Sequence, residues 1–274
     1  MCERKNCYKA CINGAFLLNE DLLKHAQEIV INLKIKARCG RKPIDFVCAL
    51  QGIYYLLKTG IQWKAMPRCF GSSSAIHRLF QKLKGAHFFE LLWHKELQEY
   101  NRIHGLKLEV QAGDCIHIKS PLGQEKTGNS PVDRRKLGTK RSIIVDRDGI
   151  VIGCALGPGN RHDSQLFEAS IRSIPSFIQH PVYQEMHLDK AYDAKFIRAI
   201  LFSLNYIPKI AKNRRNSKKP VPIIHERKRW IVESSHSWMN RFRRLFIRFE
   251  KLASNYLALM QFALASNTFS KLLI

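Results

Sequence analysis

A single carboxylate, Glu233, lies in the stretch RKRWIVESSHSWMNRFRRLFIRF between Arg227 and Phe249, among seven lysines and arginines. On a helix those cations offer contacts to phosphate oxygens, and the glutamate offers a hard oxygen ligand to a metal ion. That combination suits an enzyme that cuts nucleic acid. Arg229 and Glu233 are four residues apart and share a helix face. They form either an exposed ion pair, worth about 0.3–0.5 kcal/mol, or a cation that holds the carboxylate and touches a phosphate. His236 is either a further phosphate contact or a solvated surface histidine.

The composition points to the same class of partner. A chain of 274 residues, 45% hydrophobic, can bury a full core as one large domain or two modest ones. Lysine and arginine number 46 against 22 acidic residues, and the net charge of +24 calls for a polyanion. The cations are spread over several segments rather than gathered on one amphipathic anchor, which favours nucleic acid over a membrane surface. The apolar run from Leu252 to Ile274 is interrupted by Asn255, Gln261, Asn267 and Lys271 and reads as a packed terminal helix, not a span. Eight cysteines without a signal-like N-terminus read as free thiols in a reducing cytoplasm, and Cys2, Cys7 and Cys11 lack zinc-site spacing.

Two parts must position this chemistry. Residues 1–40 show little pattern beyond a helical stretch from Glu20 to Ile35. In residues 41–104, Phe46, Ala49, Leu50, Ile53 and Leu57 recur at helical steps until Thr59-Gly60, and Ser72 to Ser74 open a second helix carrying Ile76, Leu79, Phe80 and Leu83. Its polar face holds His77, Arg78, Lys82 and Lys84, and the segment resembles a helix-turn-helix module whose basic helix enters the major groove. The other reading is a helical cap with a solvated basic face. Ala86 to Asn101 form a further helix.

Beyond residue 105 the period becomes alternating. Strands are expected over Leu108–Ile118, Ser142–Val145, Ile150–Leu156, His187–Asp189 and Tyr206–Ile210, with the Asp146-Arg147-Asp148-Gly149 turn joining the second and third. Helices are expected over Asn160–Ser173, Ala194–Leu204 and, as one long helix, from about Ile223 to Phe249. Three strands, a helix, a strand, a helix, a strand and a helix is the order of a ribonuclease H-like α/β domain with a mixed sheet. In that fold the acidic centre takes one residue from the first strand, one just after the fourth and one from the last helix, here Asp114, Asp189 and Glu233.

The local motifs are more specific. DKAYD at Asp189 to Asp193 resembles the D-x-[GA]-[YF] motif of insertion-sequence transposases, and Arg229 to Glu233 their R-x3-E segment. With Asp114 in QAGDCIHIK, the run GNRHDSQLFE and RWIVESSHSWMNRFRRLFIRFEK, the chain from about Arg41 onward resembles a DDE transposase of the insertion sequence 5 family, within the insertion sequence 4 superfamily. Glu226 departs from the tyrosine, and Asn240 from the lysine, of the wider signature. Phosphate clamping then falls to Arg241 or Lys228.

The resemblance implies a transposase that binds the inverted ends of its element as double-stranded DNA, cuts them and joins them to target DNA. It implies Mg²⁺ or Mn²⁺ as cofactor, two ions about 3.5–4 Å apart, with Asp114 bridging both, Asp189 on one and Glu233 on the other. It also implies a homodimer on DNA, a nucleoid-associated place in the cytoplasm, and no covalent protein–DNA link. The flanking match favours the phosphate-touching role for Arg229. A non-catalytic derivative of such an enzyme and a nuclease that cuts without joining are the alternatives.

Other charges have local explanations. Asp148 belongs to the hairpin turn, Asp163 and Asp193 stand at expected helix N-caps, and Asp133 orders the basic loop that follows it. Arg134, Arg135, Lys136, Lys140 and Arg141 form one basic patch. A second cationic stretch, with 14 Lys or Arg against three Glu between Asn205 and Lys251, includes a loop from Lys212 to Pro220. Each is a DNA-facing surface or a solvated one; contact with DNA would make binding fall steeply with salt.

Overall fold

The computed structural model describes residues 8–33, 43–131, 133–211 and 230–273. In chain order these form helices α1 (Tyr8–Cys11), α2 (Glu20–Asn32), α3 (Phe46–Thr59), α4 (Ser73–Gly85) and α5 (Phe88–Ile103), then strands β1 (Val110–Lys119), β2 (Gly128–Asn129), β3 (Leu137–Val145) and β4 (Val151–Pro158). Helix α6 (Ser164–Ile171), strand β5 (Gln184–Leu188), helix α7 (Lys195–Ser203), strand β6 (Tyr206–Ile210) and helices α8 (Trp230–Asn240), α9 (Arg243–Phe246) and α10 (Ala253–Leu272) follow.

The chain divides into two compact units, one of residues 1–100, 239–247 and 254–274, the other of residues 101–238 and 248–253. The expected catalytic segment 105–274 is thus distributed over both.

The first unit is helical. Asp45 caps α3 by accepting from the Cys48 amide at 2.8 Å, and Gly60 ends it at φ 75°, the left-handed conformation that closes a helix without strain in glycine. Tyr54, Phe80, Phe89 and Phe262 pack in its core, Tyr54 edge-on to Phe262 at 5.6 Å and Phe89 tilted against both Phe80 and Phe262 at 5.4 Å. Every residue from Ala258 to Ala265 is buried or nearly so, and a helical stretch whose one polar member is Gln261 belongs in a core. No helix among the described residues is long and apolar enough to cross a membrane.

The second unit is built on a mixed sheet. β1 is its centre, antiparallel to β3 and parallel to β5; β4 continues antiparallel beyond β3, β6 parallel beyond β5, and the short β2 pairs with the start of β3. The strand–strand–strand–helix–strand–helix–strand–helix order expected of a ribonuclease H-like domain is the order observed, with β2 added. Side chains alternate across the pleat, so Asp114 and Ile116 of β1 share a face with Arg141 and Ile143 of β3, while Cys115, His117, Lys140 and Ser142 share the other. Ser170 of α6 donates to Ser142 at 2.6 Å on that second face. On the first face α8 contacts Arg141.

Several elements differ in extent from the expectation: β3 begins at Leu137 rather than Ser142, β5 runs Gln184–Leu188 rather than His187–Asp189, α6 spans Ser164–Ile171 rather than Asn160–Ser173, and the final helix differs most. The long final helix stops at Asn240, and Arg243–Phe246 form a separate helix after a turn at Arg241 and Phe242. The apolar spacing runs on through the turn because Phe242 and Leu245, fully buried, enter the core of the helical unit instead of continuing the α8 stripe. Residues 223–229 and the Lys212 to Pro220 loop lie outside the described residues.

Candidate active site

The parallel register of β1 and β5 fixes the relation between the two aspartates. Val110 pairs with Glu185, Gln111 with Met186 and Ala112 with His187, a constant offset of 75 (185 − 110) that also separates Asp114 from Asp189. One step earlier Gly113 faces Leu188: a Cβ there would stand 2.9 Å from Leu188 Cδ2, so the leucine side chain fills the space that glycine leaves. Asp114 is half-buried on β1, and Asp189 is half-buried where the chain leaves β5. The Asp189 carboxylate accepts from the Lys190 amide and opens a 3-10 turn over Lys190–Tyr192.

Tyr192 explains the aromatic position of that motif. It is 1% exposed, its ring meets Phe167 of α6 at 6.0 Å, and its hydroxyl lies against the Cys115 thiol. The turn that carries Asp189 is thereby pinned beside the strand that carries Asp114. Burial raises the Tyr192 phenol well above its ordinary value and pushes the Cys115 thiol up to about 12. Both stay protonated and serve as packing, not as nucleophiles.

Glu233 is exposed in the first turn of α8. The inward stripe of that helix is Val232, Ser235, His236 and Met239, all buried. Ser235 donates to the Gly149 carbonyl at 3.0 Å, which ties α8 to the β3–β4 turn. His236 lies against the main-chain carbonyl of Asp114. Glu233 is one helical turn from that contact, on the helix whose buried stripe meets Arg141 of β3. Among the described residues, no three carboxylate, imidazole or thiol groups converge closely enough to form a ready metal cage.

The matching family model, described as Transposase DDE domain, spans residues 113–268, more than half of the 274-residue chain. The chain belongs to this DDE transposase family. A model described as "Putative transposase of IS4/5 family" matches residues 27–93. The curated relative described as "Putative transposase for insertion sequence element IS402", from Burkholderia cepacia, is 33% identical over 136 residues, which cover 48% of this chain and 63% of that protein. The match thus spans less than two thirds of that relative's length. Among solved structures, the Mos1 strand transfer complex is 12% identical, with coverage of 86% of this chain and 79% of that one and a TM-score of 0.33. The catalytic domain of Mos1 mariner transposase is 17% identical, with coverage of 69% and 91% and a TM-score of 0.25.

In this chain the expected basic contacts divide by burial. Arg134 and Arg135 are exposed in the loop before β3, which Asp133 helps to order: its carbonyl accepts from the Lys136 amide at 2.8 Å. Lys140 is held at 2.5 Å from Asp163 on the face opposite Asp114, and Arg141 is fully buried, so the open patch reduces to Arg134, Arg135 and Lys136. Arg78 and Lys82 are exposed on α4, whereas Lys84 donates to Asn255 at 2.9 Å and His77 packs on Trp63. Arg241 is exposed; Lys228 and Arg229 lie outside the described residues.

Several charges expected to face solvent or phosphate are structural. Arg244 is 6% exposed and donates to the Ile61 carbonyl at 3.1 Å, just past the end of α3. Arg248, fully buried, donates to Thr139 Oγ1 at 2.6 Å and to the carbonyls of Glu250 and Lys251 at 3.0 Å each. Asp163 and Asp193 do not cap their helices with their side chains; Asp163 holds Lys140, and Asp193 accepts from Arg198 at 2.8 Å. His236, at 3% exposure, is neither a phosphate contact nor a solvated histidine. Its place on the Val232–Met239 stripe, at steps of three and four, was the available signal.

Proposed function

We propose that the chain acts on double-stranded DNA as a transposase: it binds the inverted ends of its own element, cleaves them, and joins them to target DNA. The observation that carries this reading is the level placement of Asp114 and Asp189, with Glu233 on a helix that contacts the Asp114 backbone.

Three carboxylates are a hard-oxygen donor set, which fits Mg²⁺ or Mn²⁺ and does not fit a soft metal. Asp114, Asp189 and Glu233 would hold the cofactor, two ions in our reading, by turning their side chains together from the described positions. When bound, the ions neutralise charge that builds on the attacked phosphate and on the leaving oxygen. The chain's own residues do the rest. The β1–β5 register and the Tyr192 pin hold two ligands in place, and the exposed Arg134, Arg135, Arg241, Arg78 and Lys82 draw in the phosphate backbone. Lys228 and Arg229 are proposed for the same task from the sequence alone, and Lys140 contributes only by way of its Asp163 pair. Pairing two element ends calls for a homodimer on DNA, and such work places the protein at the nucleoid.

A strand-transfer assay tests the proposal. Labelled element ends, a supercoiled target plasmid and Mg²⁺ are incubated with the protein, and joined products are expected. Cut ends that never join would replace the transposase reading with a nuclease; bound ends that are never cut would leave a DNA-binding protein.

A further inference from the structure

Arg141 and His236 form a buried polar contact where an apolar pair would ordinarily be expected. Nη2 of Arg141 stands 3.4 Å from His236 Nδ1 and 3.3 Å from the His236 carbonyl oxygen. A guanidinium only donates and stays protonated, so Nδ1 accepts, and a neutral ring carries its proton on Nε2. Burial first, and the Arg141 charge second, push the imidazole down to about 3. The same ring lies against the main-chain carbonyl of Asp114, without regular hydrogen-bond geometry at Nε2. One side chain of α8 thus touches both β3 and the backbone of a candidate metal ligand, a single turn from Glu233.

Taking a guanidinium out of water costs several kcal/mol, and Val232 and Met239 show that the same stripe accepts apolar side chains. What an apolar pair lacks is direction. Nonpolar side chains tolerate rotation of a helix about its axis, whereas a guanidinium that meets both the ring nitrogen and the carbonyl of one residue fixes which face of α8 meets β3.

We infer that the Arg141–His236 pair is a positioning clasp that sets the rotation of α8 against β1 and so presents the Glu233 carboxylate at Asp114. The inference rests on the metal-site reading above for its consequence, but not for its geometry.

Hydrogen exchange and Mn²⁺ binding, the latter followed by electron paramagnetic resonance, test it on the full chain with the variants His236→Ala, His236→Gln and Glu233→Gln. His236→Ala should speed exchange of the 230–240 amides about tenfold or more relative to the β1 and β3 amides, and weaken Mn²⁺ binding about tenfold or more. His236→Gln, which can place an amide N–H where Nε2 stands, should recover most of both. Exchange of the 230–240 amides unchanged in His236→Ala overturns the clasp, and so does faster exchange spread evenly over the whole unit. Glu233→Gln separates the two claims, because it should lose Mn²⁺ binding while its helix stays protected. If Glu233→Gln binds Mn²⁺ as the native chain does, the metal-site reading fails, and the exchange result still decides the clasp.

Discussion

Asp114 of β1 and Asp189 at the exit of β5 stand at one level of the sheet, each two residues past the registered pair Ala112 and His187. Two carboxylates offered from adjacent strands are hard oxygen donors suited to a shared divalent cation. Asp114→Asn and Asp189→Asn keep the shape and remove the charge. Each should slow single-turnover cleavage about 10²–10³-fold or more while changing DNA affinity in EDTA by less than about threefold. Rates within tenfold of the native chain would remove either residue from the site.

Buried and exposed arginines should separate by assay. Arg248→Met removes a buried donor from the Glu250 and Lys251 carbonyls and from Thr139 Oγ1, though the Lys251 carbonyl keeps the Gln124 and Glu125 amides. Urea unfolding should show a loss of about 2–4 kcal/mol. Arg241→Ala, at an exposed position, should stay within about 0.5 kcal/mol and weaken DNA binding instead.

Arg134 and Arg135 hold φ of 47° and 55°, a left-handed conformation that costs a side-chain-bearing residue about 1 kcal/mol. Arg134→Gly should therefore raise stability slightly and still weaken DNA binding, with the slope of log affinity against log salt reduced by about 0.9 for the lost phosphate contact. Lys140→Ala should leave that slope nearly unchanged, since Lys140 is paired with Asp163. Equal slopes for the native chain and Arg134→Gly would take the loop off the DNA.

Asp146 gives a pH dependence with a definite sign. Its buried carboxylate accepts from the amides of Lys107, Asp148 and Ile150, yet burial outweighs those bonds and raises it from 3.8 to about 6. Between those values the folded chain holds a proton that the unfolded chain has lost. Stability relative to Asp146→Asn should therefore fall as pH rises from about 4 to 6, by roughly 3 kcal/mol in all. Denaturation midpoints of the two proteins across this range check it; a difference that grows with pH would show the three amides outweighing burial.

Much of this was legible in the sequence, and what was missed has a common physical cause. Strand β6 was read to its ends, the Asp146–Gly149 turn was placed, and Gly60 was seen as a helix stop. Alternation and turn chemistry are local, so the chain states them locally. Arg141, Arg244, Arg248 and His236 were read as surface or phosphate-facing because of residue type, whereas their burial depends on carbonyls and ring nitrogens supplied by distant segments. Asp163 and Asp193 sat at cap positions by sequence but found stronger partners in Lys140 and Arg198. Asp114, Asp189 and Glu233 were picked out by element order and motif; the register and the α8 contact to Asp114 supply a physical reason for them to act together.

The central claim is that these three carboxylates make a metal-dependent DNA-cutting site. Incubating the purified protein with end-labelled DNA carrying the element's inverted repeats, with Mg²⁺ in one arm and EDTA in the other, tests it most directly. The account predicts cleavage at the repeat end only in the Mg²⁺ arm and binding in both; binding in both with cleavage in neither, or equal cleavage in EDTA, would contradict it.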